Sequence, residues 1–112
     1  MKRFAQTVLL KDDPEILRRY EAYHANPWPE VVEGTIRCGV RRVFIYHFGR
    51  QLFMFIEAED TFDMARDMPQ YMENPRAREW DELMRTFQEP VPGAPPGSTW
   101  VEMKDIYALT VN

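Results

Sequence analysis

An α+β fold on an antiparallel sheet is what this 112-residue sequence predicts. Three observations carry that reading. β-leaning runs stand near both ends of the chain, and two more lie side by side in its middle. Helical patterns opened by capping residues and prolines fill the two gaps between them. The central pair is joined at Gly49-Arg50, which reads as a hairpin turn.

Residues 4–10 form the first apolar run and the first predicted strand. Asp12-Asp13-Pro14-Glu15 then starts a helix, with Asp as N-cap, Pro pre-set for the first helical position and Glu favourable at the positive end. That helix carries Ile16, Tyr20 and His24 on one stripe, with Leu17 and Tyr23 beside it, and Asn26-Pro27 ends it. A short second helix begins near Pro29. Val31, Val32 and Ile36 fit its apolar face, and Gly39 fits its C-terminal stop.

The hairpin runs, residues 41–48 and 51–57, have an informative alternation. Val43, Ile45 and His47 face one way, while Phe44, Tyr46 and Phe48 face the other; Leu52, Met54 and Ile56 likewise oppose Phe53 and Phe55. Both faces are mainly apolar, whereas an antiparallel sheet with one wet face alternates cleanly between apolar and polar. Helices cover one side and the chain is too short to cover both, so a second copy, in a homodimer, is the expected cover. Asp60-Thr61 is expected to cap a third helix through Phe62, Met64, Ala65 and Met68. Asn74-Pro75 opens a fourth, with Trp80, Leu83, Met84 and Phe87 at helical spacing. The Pro/Gly-rich residues 89–97 read as a connecting loop, and residues 100–109 as the final strand. The order β-α-α-β-β-α-α-β is the ferredoxin-like split βαβ plan with each helical connection broken in two. It fits one domain spanning residues 1–112.

A formal net charge of −4 argues against a nucleic-acid partner and against a polybasic membrane anchor. No apolar run approaches the length of a bilayer span, and the first residues lack the core of a secretion signal, so a cytoplasmic location is expected. Cys38 is the single cysteine, which leaves no internal disulfide and no Cys-based metal motif; it is expected to be a small buried hydrophobe. Met54, Met64, Met68, Met72, Met84 and Met103 are expected to fill the core. A Gly-rich phosphate loop, a nucleophile elbow and His/Cys/Asp metal spacing are all missing. Chemistry without a cofactor or metal, or simple binding, is what remains.

The stretch from Tyr20 to Glu30 is the most informative for chemistry. Tyr20 and His24 lie four apart, hence on one helical face, and Pro27 and Pro29 fix the exit around Trp28. A histidine beside a tyrosine and a tryptophan suits proton transfer near neutral pH; a histidine at a helix end also suits the negative end of the dipole. His47, on a strand near a hairpin tip, reads as partly exposed and structural. Trp28, Trp80 and Trp100 suit a core, and equally the C–H-rich face of a sugar ring.

On Tyr20-x-x-x-His24, Asn26-Pro27-Trp28-Pro29-Glu30, Gly39 before Tyr46, the hairpin run and Asn74-Pro75 leading to Trp80, the chain resembles the L-rhamnose mutarotase family over nearly its whole length. The resemblance implies a small dimeric ferredoxin-like protein, a dimeric α/β barrel, that interconverts the α and β anomers of a 6-deoxy-L-hexose without cofactor or metal. It implies that His24 is the catalytic proton donor and that Tyr20 and Trp80 contact the sugar; Trp28 and Tyr46 are expected to add to the wall beside Trp80. Two departures stand out. Val43 falls where the rhamnose enzyme has a substrate-contacting tyrosine, and Trp80-Asp81 falls where it has paired tryptophans; the Pro-rich loop before the last strand is a third local difference. A lost hydroxyl and a gained carboxylate retune sugar preference, which makes L-fucose an alternative substrate to L-rhamnose. Two other classes compete: a ferredoxin-like haem or oxygenase-type protein, which would show a haem spectrum and turnover, and a non-catalytic sugar-binding protein, which would leave anomer exchange at the buffer rate.

Overall fold

The computed structural model describes residues 1–111. Its elements are β1 (Lys2–Leu10), α1 (Pro14–Ala25), α2 (Pro29–Arg37), β2 (Val40–Phe48), β3 (Gln51–Ala58), α3 (Met64–Asp67), a 3-10 helix (Met68–Glu73), α4 (Pro75–Phe87), β4 (Gln88–Glu89) and β5 (Val101–Met103). The sheet runs β2-β3-β1, with β4 and β5 both pairing β1, and every pair is antiparallel. First and third strands lie at the centre, as the ferredoxin-like plan requires. Among the described residues no helix is long and apolar enough to cross a membrane.

The local signals act as their chemistry dictates. Asp13 Oδ1 accepts the Glu15 N–H at 2.9 Å and opens α1, and Asn74 Oδ1 accepts the Arg76 N–H at 2.8 Å to open α4. Gly39 ends α2 with φ at 112°, its N–H bonding the Ile36 carbonyl at 3.1 Å. A Cβ there would also stand 3.2 Å from Phe62 Cδ1, so both backbone and space call for glycine.

The β2–β3 register sets Val43 against Ile56, Ile45 against Met54 and His47 against Leu52 on one face, with Phe44 against Phe55 and Tyr46 against Phe53 on the other. The first face meets the helices. Val8, Leu10 and Leu52 pack there with Tyr20, Trp80, Met84 and Phe87, while Val40, Ile56, Ala58, Cys38 and Phe62 form a second cluster. The other face stays open: Phe44, Tyr46 and Phe48 are 46%, 60% and 91% exposed.

Four local readings differ from the structure. The third helix is capped by Asp63, not by Asp60-Thr61, with Asp63 Oδ1 accepting the Arg66 N–H at 2.9 Å. It stops after one turn because Pro69, with no N–H to give, tightens the chain into the 3-10 helix; Phe62 sits ahead of it, buried in the core. The last strand covers Val101–Met103 rather than residues 100–109. Just beyond it Asp105 Oδ1 accepts the Tyr107 N–H at 3.1 Å, a local bond that competes with the ladder. The two-residue β4, Gln88–Glu89 against Leu10 and Leu9, has no β-leaning residues and is set by where α4 ends. Met103 lies 45% exposed on the open side instead of in the core.

Candidate functional site

Between the sheet's inner face and the helices the core is interrupted by a cavity of about 720 Å³, within the range of small-molecule sites. Tyr20, Trp80 and Met84 line it from the first apolar cluster, and Val40, Ile56 and Met54 from the second. The last turn of α1, held back from further helix by Asn26 and Pro27, brings His24 to its wall.

His24 Nδ1 lies 2.8 Å from the Tyr20 main-chain carbonyl. A carbonyl only accepts, so Nδ1 carries the proton in the neutral ring and Nε2 holds the lone pair. The imidazole stacks on the Tyr20 phenol at 4.4 Å and 25°, and meets Trp80 edge-on at 5.3 Å. Burial pushes its pKa below the ordinary histidine value, partly opposed by the carbonyl bond. The ring is therefore a neutral base at pH 7. Tyr20 is 4% exposed, and burial pushes its hydroxyl up to about 12, so it remains a proton-bearing donor across the physiological range. Gln88 Nε2 donates to its oxygen at a long 3.4 Å, which leaves the O–H proton for a guest.

Trp80 is held by Tyr23 at 5.9 Å and by Trp28 at 5.3 Å, both edge to face. Trp28 stands behind Trp80 rather than on the cavity wall, and the Arg76 guanidinium caps it at 3.9 Å from the ring centre. Tyr46 is not brought to the cavity. With Val43 and Ile45 facing inward, the two-residue period turns Tyr46 to the open face, 6.1 Å from the Phe53 ring. His47 lies outside the cavity, with Nε2 3.2 Å from Glu21 and Nδ1 3.0 Å from the Gly49 carbonyl. Cys38 is buried, and burial raises its thiol pKa, which suits an inert core residue.

Tyr71 and Gln88 also line the cavity, and neither stands out in the sequence. Tyr71 sits in a 3-10 turn with no helical period, and Gln88 on a strand of two residues. The available signal was Gly34, a glycine inside a helix: a Cβ there would lie 3.3 Å from the Tyr71 Cβ and carbonyl oxygen, so the residue permits the 3-10 helix to approach α2. Among the described residues no three His, Cys, Asp or Glu side chains gather in a way that could hold a metal ion.

Comparison with known proteins matches residues 3–109 to the family model described as L-rhamnose mutarotase. A UPF0734 protein of Dictyostelium discoideum is 38% identical over 96% of this chain and 90% of its own length. An L-fucose mutarotase of Xanthomonas campestris is 32% identical over 98% of this chain and 90% of its own. Among solved structures, an L-rhamnose mutarotase from Formosa agariphila superposes with a TM-score of 0.71 at 19% identity, covering 98% of this chain and all of that one. The tetracenomycin F2 cyclase of Streptomyces glaucescens does so with a TM-score of 0.74 at 20% identity, over the whole of both chains. At such identities the two structural likenesses speak to the fold alone.

Proposed function

The chain belongs to the L-rhamnose mutarotase family, and from that premise we propose that it interconverts the α and β anomers of a 6-deoxy-L-hexose, L-rhamnose or L-fucose. The observation that carries this reading is His24: a neutral imidazole with its Nδ1 proton tied to a carbonyl and its Nε2 left for a guest, in a cavity beside the Tyr20 hydroxyl and the Trp80 ring.

The chemistry asks for little more. His24 Nε2 takes the proton of the anomeric hydroxyl, the electron pair forms the carbonyl at C1, and the bond from C1 to the ring oxygen breaks. The imidazolium then hands the proton to that ring oxygen, so His24 is the proton donor of the opening step and is regenerated by it. Both oxygens are bonded to C1, so one nitrogen serves both. Tyr20 O–H supports the negative charge as it forms on the ring oxygen and remains protonated. Rotation about C1–C2 and the same steps in reverse close the other anomer. The Trp80 ring offers apolar area to the sugar's C–H face, with Trp28 fixing its tilt.

One positioned acid–base group is worth about 10²–10⁴-fold. Saturation-transfer NMR on L-rhamnose, L-fucose, D-galactose and D-glucose tests the reading. Faster exchange between anomeric protons is expected for the 6-deoxy-L-sugars, and His24→Ala should remove most of it while the fold persists. Exchange at the buffer rate on every sugar, or full exchange in the variant, would overturn it.

The homodimer belongs to the same reading. Phe44, Tyr46 and Phe48 on the open sheet face, with Met103, give an apolar surface of the kind that soluble chains cover. A second sheet packed face to face supplies that cover.

A further inference from the structure

The cavity has a second polar pole, away from the His24–Tyr20 stack and on different elements. Asp81, on α4 directly after Trp80, is the single carboxylate among the described residues lining it. Two groups fix its position. Tyr71 Oη donates to Asp81 Oδ1 at 3.0 Å, and Arg85 Nε, one turn along α4, donates to Oδ2 at 2.7 Å. Each comes from a separately anchored piece of chain. Arg85 is locked by helical spacing, while Tyr71 reaches the site only because Gly34 lets the 3-10 helix lie against α2. Burial and the neighbouring Asp81 charge both push the Tyr71 hydroxyl well above its ordinary pKa, so it stays a donor.

A carboxylate has about four lone-pair directions. The two bonds from Tyr71 and Arg85 fill one on each oxygen and leave one on each. Two acceptor positions held in one plane by a rigid cradle match two neighbouring sugar hydroxyls, which present two O–H donors at similar spacing. We propose that Tyr71, Asp81 and Arg85 form a prearranged hydroxyl-reading pole, in which Asp81 accepts from a pair of hydroxyls on a neutral sugar and so selects which sugar configuration the site takes. Tyr71 is a positioning residue that acts through Asp81. This inference rests on the sugar-mutarotase reading.

Anomer exchange and sugar binding, the latter from quenching of tryptophan emission, are measured on L-rhamnose and L-fucose for the wild type, Asp81→Asn and Tyr71→Phe. Asp81→Asn keeps the shape and one acceptor but replaces the other with a donor. It should raise KM about tenfold on the preferred sugar, leave kcat within about threefold, and change the preference between the two sugars. Tyr71→Phe should move KM in the same direction by a smaller factor, with its melting temperature little changed. A KM and a preference that stay at wild-type values in Asp81→Asn would overturn the proposal, as would a loss of kcat on both sugars with KM unmoved. A wild type that binds sugar without exchanging it refutes the mutarotase reading alone, and the binding data still decide on Asp81. A wild type that binds neither sugar refutes both.

Discussion

At the scale of single residues, the proposed function turns on which protonation state His24 holds. Desolvation favours the neutral ring, and the Tyr20 carbonyl chooses the tautomer that leaves Nε2 basic. The anomer-exchange rate should therefore fall on the acid side with an apparent pKa below 6.5, and His24→Gln should lose that limb together with most of the rate. Folding follows the same sign. An unfolded histidine titrates near 6.5 and the folded one lower, so between those values only the unfolded chain takes up the proton. The contribution is fully present above about 6.5 and is lost as pH falls through that window toward the folded pKa. Urea unfolding of the wild type and His24→Gln at pH 8 and pH 5 checks it: the wild type should lose more stability at pH 5 than the variant. An NMR titration placing His24 at or above 6.5 would contradict both expectations. The pairing of Tyr20 with His24 is legible in the sequence because four residues apart means one helical face. The orientation of the imidazole is not, since it depends on burial by Trp80, which arrives from a helix more than fifty residues away.

At the scale of elements, the structure rests on a few backbone positions that a side chain would spoil. Gly39 joins α2 to β2 with a positive φ and the Phe62 ring against its Cα. Gly39→Ala forces an L side chain into that region at roughly 1–2 kcal/mol, before the contact with Phe62 is counted. A lower urea midpoint with an unchanged m-value is expected, and an unaffected midpoint would show that the turn relaxes. The same reasoning separates what the elements disclose beforehand. α1 and α4 are readable because Asp13 with Pro14 and Asn74 with Pro75 act within three residues of themselves. The stretch around residues 60–73 is not, because Asp60, Thr61 and Asp63 are all competent caps, and the choice among them was made by Phe62 leaving the helix for the core.

At the scale of the whole molecule, the two faces of the sheet have different fates. The inner face is covered by helices except where the cavity lies, and the outer one presents Phe44, Tyr46 and Phe48 to solvent in a single chain. Sedimentation equilibrium should find twice the chain mass of 13.4 kDa, and Tyr46→Asp, which puts a charge in the middle of that face, should shift the population toward monomer. A wild type that stays monomeric at tens of micromolar would refute the face-to-face pair. Strand alternation alone determined that both faces are apolar and that Tyr46 and Val43 point opposite ways; caps, prolines and the Gly49 turn determined the order of elements. These are local properties, fixed by dihedral preferences and by periods of two and 3.6. The cavity, the Tyr71–Asp81–Arg85 cradle and the placing of Trp28 behind Trp80 were decided only by the tertiary structure. Each depends on the space left between two apolar clusters assembled from distant parts of the chain, and no segment carries a record of a gap that exists only once all of them have packed.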